Sequence, residues 1–139
     1  MVENYSLVQN EPKYWEFIRL VRNDPEMQKG FVEIVNITTE QQIEYMQKYG
    51  DGYYICLSDE NEPIGFIGEV NDDIRVAVIT EFQKMGIGKF MVNEFMKLRP
   101  NSYAKMKFDN IASKRLFESC GFIYIKKDER FYYFKKLLI

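Results

Sequence analysis

Two short blocks hold the residues best suited to chemistry. The first, Gln83-Lys84-Met85-Gly86-Ile87-Gly88, lies between a run that alternates like a strand, Ile74 to Ile79, and a helical stripe. In that stripe Ile87, Met91, Phe95 and Leu98 recur on one side, with Lys89, Asn93, Glu94 and Lys97 opposite. Gly86 and Gly88 allow a sharp turn and let a ligand approach the backbone with no Cβ in the way. The first-turn amides, which no helical carbonyl can pair, then point outward as an anion site. The second block runs from Asn110 to Phe122, with Ser113, Lys114 and Arg115 inside it and Gly121 closing it. By itself it reads as an Asn-capped helix.

The chain contains no histidine. That removes Ser-His-Asp and Cys-His catalysis and argues against zinc or non-haem iron, so no metal site is expected. Proton transfer falls to carboxylates, tyrosine, cysteine, lysine or water. Cys56 and Cys120 do not make a disulfide framework and fit reduced core positions.

With 139 residues, 46% hydrophobic and 16% aromatic, the chain reads as one folded domain spanning 1–139. No apolar run reaches the ~18 residues of a membrane span. The first residues, Met1 to Asn4, lack the features of a signal peptide, so a cytoplasmic location is expected. Charge is divided unevenly. Residues 1–74 hold five basic and fifteen acidic side chains, and residues 75–139 hold fourteen and six. The basic half suits a polyanion and the acidic half a cation, unless the two merely solvate different surfaces. The lysines at 84, 89, 97, 105 and 107 lie on several elements rather than one recognition helix, so nucleic acid is not the expected partner.

These blocks need elements to position them. A short strand at Ser6 to Val8 precedes a helix from Pro12 to Asn23, which Asp24-Pro25 stops. Residues 26–38 read as loop or irregular structure. Thr39 to Gln42 fits a capping box, and its helix ends at Gly50. Strands follow at 53–57, 64–70 and 73–79, the last entered through a tight turn at Asn71-Asp72. Pro100 closes the glycine-led helix; a strand at 104–108, the second-block helix and a hairpin of 122–126 and 131–136 complete the chain. The order β-α-α-β-β-β-α-β-α-β-β predicts an α/β fold with a mixed, mostly antiparallel central sheet and flanking helices.

Both blocks resemble signatures of the GCN5-related N-acetyltransferase (GNAT) superfamily. The first matches its Gln/Arg-x-x-Gly-x-Gly/Ala loop, and the second its Asn-x-x-Ala-x-x-Leu-Tyr-x-x-x-Gly-Phe, except that Phe117 replaces the tyrosine. The resemblance is specific over roughly residues 74 to 122. It implies an acyl-CoA N-acyltransferase fold in which the strand before the glycine turn and the strand after the helix splay apart, with acetyl-CoA entering the V. It further implies acetyl transfer to a primary amine through a ternary complex.

The resemblance places the pyrophosphate on the amides of Gln83, Lys84, Met85, Gly86, Ile87, Gly88 and Lys89. Pantetheine, with two amides, can pair with the strand edge from Val76 to Ile79, where Val76, Ala77 and Val78 are the cofactor candidates. The resemblance implies that amides near Val78 also hold the thioester carbonyl. Asn110 bonds the pantetheine arm, caps the helix, or does both. Ser113 and Arg115 complete the cofactor set, with Arg115 or Lys114 reaching the 3′-phosphate unless simply solvated. Phe117 stands where many members carry the tyrosine that protonates the departing thiolate. Lys105 stands where a ribosomal-protein branch keeps a glutamate base. Counting back from Gly86 to the base position of the histone acetyltransferases lands on Asp72, with Asp73 and Glu69 behind it; as plain chemistry, Asp72 is also an ordinary turn residue. Arg22 and Asn23 resemble a stretch in members that acetylate nucleotide-linked amino sugars, or are a charged helix end. A small-molecule amine, of amino-sugar or polyamine type, is the expected acceptor. The rivals are a protein N-terminus or lysine, and a non-catalytic CoA-binding module. Family members are often dimers, and Tyr132-Tyr133-Phe134 is a candidate contact or core.

Overall fold

The computed structural model describes residues 4–31 and 34–137. Met1 to Glu3, on which the leader-peptide reading rests, and residues 32–33 of the ambiguous 26–38 stretch lie outside them. The elements are β1 (Ser6–Gln9), α1 (Trp15–Asn23), α2 (Pro25–Gln28), α3 (Thr39–Tyr49), β2 (Tyr53–Leu57), β3 (Pro63–Val70), β4 (Asp73–Val78), α4 (Ile87–Leu98), β5 (Tyr103–Lys107), α5 (Ile111–Ser119), β6 (Phe122–Lys127) and β7 (Phe131–Lys136). The seven strands form one mixed sheet in the order β1-β2-β3-β4-β5-β7-β6, antiparallel at every junction except β4 with β5. The expected fold class holds; the element order gains one short helix, α2, the first helix opens with a 3-10 turn over Pro12–Tyr14, and the other boundaries move by a residue or so.

Each face of the sheet carries its own apolar layer. On one face α4 and α5 bury Ile87, Met91, Val92, Phe95 and Phe117 against Ile64, Ile67, Ile74, Ala104 and Met106. On the other, α1, α2 and α3 bury Ile18, Val21, Met27 and Met46 against Tyr53, Ile55, Leu57, Phe66 and Ala77. Strand β2 is buried at every position because helices cover both of its sides.

Two local expectations change. The capping box belongs to Thr38 and Gln41, one residue earlier than expected: Thr38 Oγ1 accepts from Gln41 N at 3.1 Å and Gln41 Oε1 accepts from Thr38 N at 2.9 Å. Gln42 is instead buried and donates to the Trp15 carbonyl at 2.7 Å, which fixes α3 against α1. Part of the 26–38 stretch is helical. Asp24 ends α1 and caps α2 through Glu26 N, while Pro25 fills the first helical position, where its missing N–H costs nothing.

The segment after α2 is tied down by side-chain amides. Asn23 grips both backbone groups of Ile37, donating to its carbonyl and accepting from its N–H, each at 2.8 Å. Gln28 donates to the carbonyls of Arg22 and Val35. Such bonds hold an irregular chain in place without a ladder.

Candidate active site

Strands β4 and β5 are neighbours only at their starts. A single register pair, Asp73 with Tyr103, joins them, and the Tyr103 amide donates to the Asp72 carbonyl at 2.8 Å. Beyond this point β4 follows β3 while β5 follows β7, and the two strands part. The Ile79 amide bonds the Ile64 carbonyl at 3.0 Å, which sets the phase of the antiparallel ladder. Asp73, Arg75 and Ala77 therefore exchange bonds with β3, and the backbone groups of Ile74, Val76 and Val78 face the opening. Ala77, expected at the cofactor edge, is a correction: alternation turns its amide to Phe66, and its side chain is buried.

The opening is a cleft lined by residues from both faces of the sheet, among them Val76, Ser113 and Phe117 from the α4–α5 side. Arg22, Phe31, Phe66, Asp73, Arg75 and Lys105 line it on the α1–α3 side. Lys105 falls on that side because Ala104 and Met106, its neighbours on β5, are in the opposite core. The cleft thus passes through the sheet.

Past the end of β4 stands the N-terminus of α4, its turn bonded back to the Val78 carbonyl by the Gln83 side chain. Lys84 and Gly86 adopt left-handed φ values of 64° and 82°. Gly86 is the N-cap residue and no side chain caps the helix. The first intrahelical bond is Phe90 N to the Gly86 carbonyl, so the amides of Ile87, Gly88 and Lys89 have no helical acceptor. A Cβ on Gly86 would meet nothing within 4 Å, so glycine is needed there for φ rather than for packing. A Cβ on Gly88 would lie 3.4 Å from both Leu116 methyls, so that glycine lets α4 approach α5. Met85 is exposed, whereas the Ile87 side chain is core, leaving only its amide for a ligand.

The α1–α3 side of the cleft is charged. The Asp73 carboxylate lies 3.5 Å from Arg75 and 3.8 Å from Lys105. Lys105 also sits 4.9 Å above the Phe131 ring, and Arg22 5.0 Å above Tyr45. The phenol of Tyr103 is pushed up, first by burial and then by the negative charge of Asp73.

The other expected residues fall as follows. Asp72 is exposed at φ 69°, the second residue of a two-residue turn after Asn71 at φ 53°, and does not line the cleft. The carboxylate that does is Asp73, one residue on. Both amide atoms of Asn23 serve the Ile37 backbone, so its reading as a substrate contact is corrected to a structural one. Arg22 lines the cleft. Asn110 caps α5, its Oδ1 accepting from Ser113 N at 3.1 Å, while its Nδ2 donates to the Gly30 carbonyl at 3.0 Å. It thereby straps the chain after α2 to α5 across the cleft. Arg115 and Lys84 are exposed. Phe117 is buried, lines the cleft and packs edge-on to Phe122. Cys120 is buried near the Lys89 carbonyl, and burial pushes its thiol up, away from thiolate chemistry.

The sequence reading missed the Asp73-Arg75-Lys105 cluster as a unit. Strand alternation was the available signal, since it puts 73 and 75 on one face. Among the described residues, no group of three His, Cys, Asp or Glu side chains is placed to hold a metal ion. None of their helices is long and apolar enough to cross a membrane.

A mostly antiparallel sheet whose one parallel pair opens beside an uncapped helix start defines the fold of acyl-CoA-dependent N-acyltransferases. A model of the acetyltransferase (GNAT) family matches residues 12–122. The chain belongs to that family and is an N-acetyltransferase. Its fold is similar to that of a domain from Methanocaldococcus jannaschii, with a TM-score of 0.80 and 22% identity over 96% of this chain and 97% of that one. Spermidine N-acetyltransferase from Vibrio cholerae, solved with CoA and spermine, gives 0.72 and 16% over 94% and 92%. An aminoglycoside acetyltransferase in complex with coenzyme A gives 0.72 and 14% over 94% and 93%. No curated protein matches the chain significantly.

Proposed function

We propose that the protein transfers the acetyl group of acetyl-CoA directly to a primary amine of a small molecule, with both substrates bound at once. One observation carries this reading: a cleft with charged residues on its α1–α3 side opens between β4 and β5, and the bare amides of α4 follow the end of β4. The amides of Ile87, Gly88 and Lys89 suit the pyrophosphate, with Lys84 and Lys89 adding charge. Val76 and Val78 offer a strand edge to the two amides of pantetheine. The Val78 N–H is the donor placed to hold the thioester oxygen. Ser113 and Arg115 on α5 flank the same side, Arg115 free to meet a 3′-phosphate.

The amine nitrogen forms its bond to the thioester carbonyl carbon, the C–S bond breaks, and the amine must lose a proton. Alkylamines are mostly protonated at neutral pH. Asp73, with Arg75 and Lys105 beside it, lines the cleft, and a basic side chain next to a bound amine favours its neutral, nucleophilic form. Asp73 is the carboxylate placed to collect the proton, directly or through water. Phe117 has no proton to give, so the thiolate leaves unassisted by that position.

The cleft offers about 100 Å³, and the Asn110–Gly30 bond ties its Gly30 wall to the start of α5. That space suits a slim amine-bearing group better than a folded protein surface. The deciding experiment is free-thiol release from acetyl-CoA with a panel of amines, peptides included. Turnover with small amines is expected. Release only with peptides would favour protein acetylation, and no release despite CoA binding would leave a CoA-binding module.

A further inference from the structure

We infer that Lys105 is itself an acetyl acceptor: with acetyl-CoA bound and no amine in the cleft, the chain acetylates this side chain. The inference rests on the acetyl-transfer reading and adds a modification site to it. Lys105 is the one lysine among the described residues that line the cleft. The other basic groups there, Arg22 and Arg75, carry guanidinium ions that stay protonated and so make poor nucleophiles.

Strand geometry puts the lysine where the cleft begins to open. Strands β4 and β5 meet only at Asp73 and Tyr103. Lys105 lies two residues past that pair on β5, and Val76 three residues past it on β4, on either side of the opening. The side chain is 23% exposed, mostly enclosed yet open to the cleft. Its nitrogen rests 4.9 Å from the centre of the Phe131 ring and 3.8 Å from the Asp73 carboxylate. The second distance exceeds a hydrogen bond, so the ion pair does not lock the nitrogen in place. A stem of four flexible carbons then lets it swing along the opening.

The chemistry balances with acetyl-CoA as the only reagent. The Lys105 ammonium gives one proton to Asp73, directly or through water. The freed lone pair forms the bond to the thioester carbon, the C–S bond breaks, and CoA leaves as the thiolate with the electron pair. The nitrogen then loses a second proton, which ends on the thiolate. The products are Nε-acetyl-lysine and free CoA. Nucleophile, base and thioester share one cleft, so the step is effectively unimolecular. The acetylated lysine cannot leave, so each chain reacts once.

The test incubates the protein with acetyl-CoA and no added amine. Acetylation of each lysine is followed by peptide mass spectrometry, alongside release of free thiol. Lys105 is expected to react about 10-fold faster than Lys29 and Lys97, although those side chains are 74% and 71% exposed. Excess CoA is expected to suppress the reaction at Lys105 and to spare the two surface lysines. Thiol release should show a single burst, absent in Lys105→Arg.

A Lys105 that reacts no faster than the exposed lysines, or as fast under excess CoA, overturns the inference. Turnover of small amines with Lys105 unmodified sinks it and leaves the small-molecule reading standing. Acetylation of Lys105 with no turnover of any amine keeps it and sinks that reading.

Discussion

The side-chain amide of Gln83 donates to the carbonyl of Val78 at 2.9 Å. The bond pins the glycine turn to the cleft edge of β4 and leaves the Val78 N–H open for the thioester oxygen of the proposed complex. The Gln83 side chain thus holds the loop against β4. Gln83→Ala is expected to weaken CoA binding by about 10-fold, from one lost hydrogen bond and a looser loop, with little change in melting temperature. Calorimetry with CoA and a thermal melt check the two halves of this expectation.

Gly86 and Gly88 fail for different reasons when replaced. Gly86→Ala meets no atom but must hold φ at 82°, which costs about 1–2 kcal/mol. Gly88→Val presses on the Leu116 methyls and shifts α5 against α4. Both variants are expected to lose CoA affinity. Only Gly88→Val should also disturb the α4–α5 contact, read as a larger fall in melting temperature.

Asp73→Asn is expected to lower turnover about 100-fold, the lower end of the range for general-base loss, and most strongly at low pH. Asp72→Asn is expected to leave the pH–rate profile unchanged, because asparagine tolerates the left-handed turn that Asp72 occupies. Matching profiles for the two variants would return the proton to a water chain.

Phe117→Tyr adds a hydroxyl to a ring that lines the cleft and packs on Phe122. The variant is expected to fold normally and to turn over faster, if the thiolate of the proposed complex leaves beside this ring as the resemblance implies. Stopped-flow thiol release compares it with wild type. A sharp fall in activity with folding intact would mean that the ring is used for shape.

The β6–β7 turn predicts a pH effect on stability. The Tyr133 hydroxyl at 2.6 Å, and after it the amides of Arg130 and Phe131, hold the Asp128 carboxyl down at about 2 from 3.8. A depressed folded value means stability that is present above pH 3.8 and lost as pH falls towards 2. The partner shift is opposite: the Tyr133 phenol is raised to about 12, so its contribution is present below pH 10 and lost as pH rises through 12. Asp128→Asn is expected to be less stable at neutral pH and to show a flatter acid limb over that window, measured by urea unfolding.

What could be read from the chain depended on how local the cause was. The α4 stripe, the Gly86 turn and the Asn110 cap follow from neighbouring residues and were legible. Thr38 was not, because choosing it over Thr39 requires knowing that Gln42 is pulled inward to the Trp15 carbonyl. Nor was the short helix after Asp24-Pro25, whose anchors Asn23 and Gln28 reach across as many as fourteen residues. Asp72 and Asp73 differ by one position, and only the strand phase set by Ile79 and Ile64 decides which of them faces inward. Arg75 and Lys105 meet because two strands thirty residues apart share a single pair, a relation no spacing encodes.

That single pair also has a bearing on cooperativity. With β4 and β5 joined only at Asp73 and Tyr103, the backbone ladder is two nearly independent sheets, and α4 and α5 supply most of the coupling between them. Amide hydrogen exchange in the empty protein should then resolve two opening units, β1 to β4 and β5 to β7. A pantetheine arm bonded along Val76 and Val78 would act as a removable suture. The two units should merge into one on binding, so that the substrate is for a moment part of the fold.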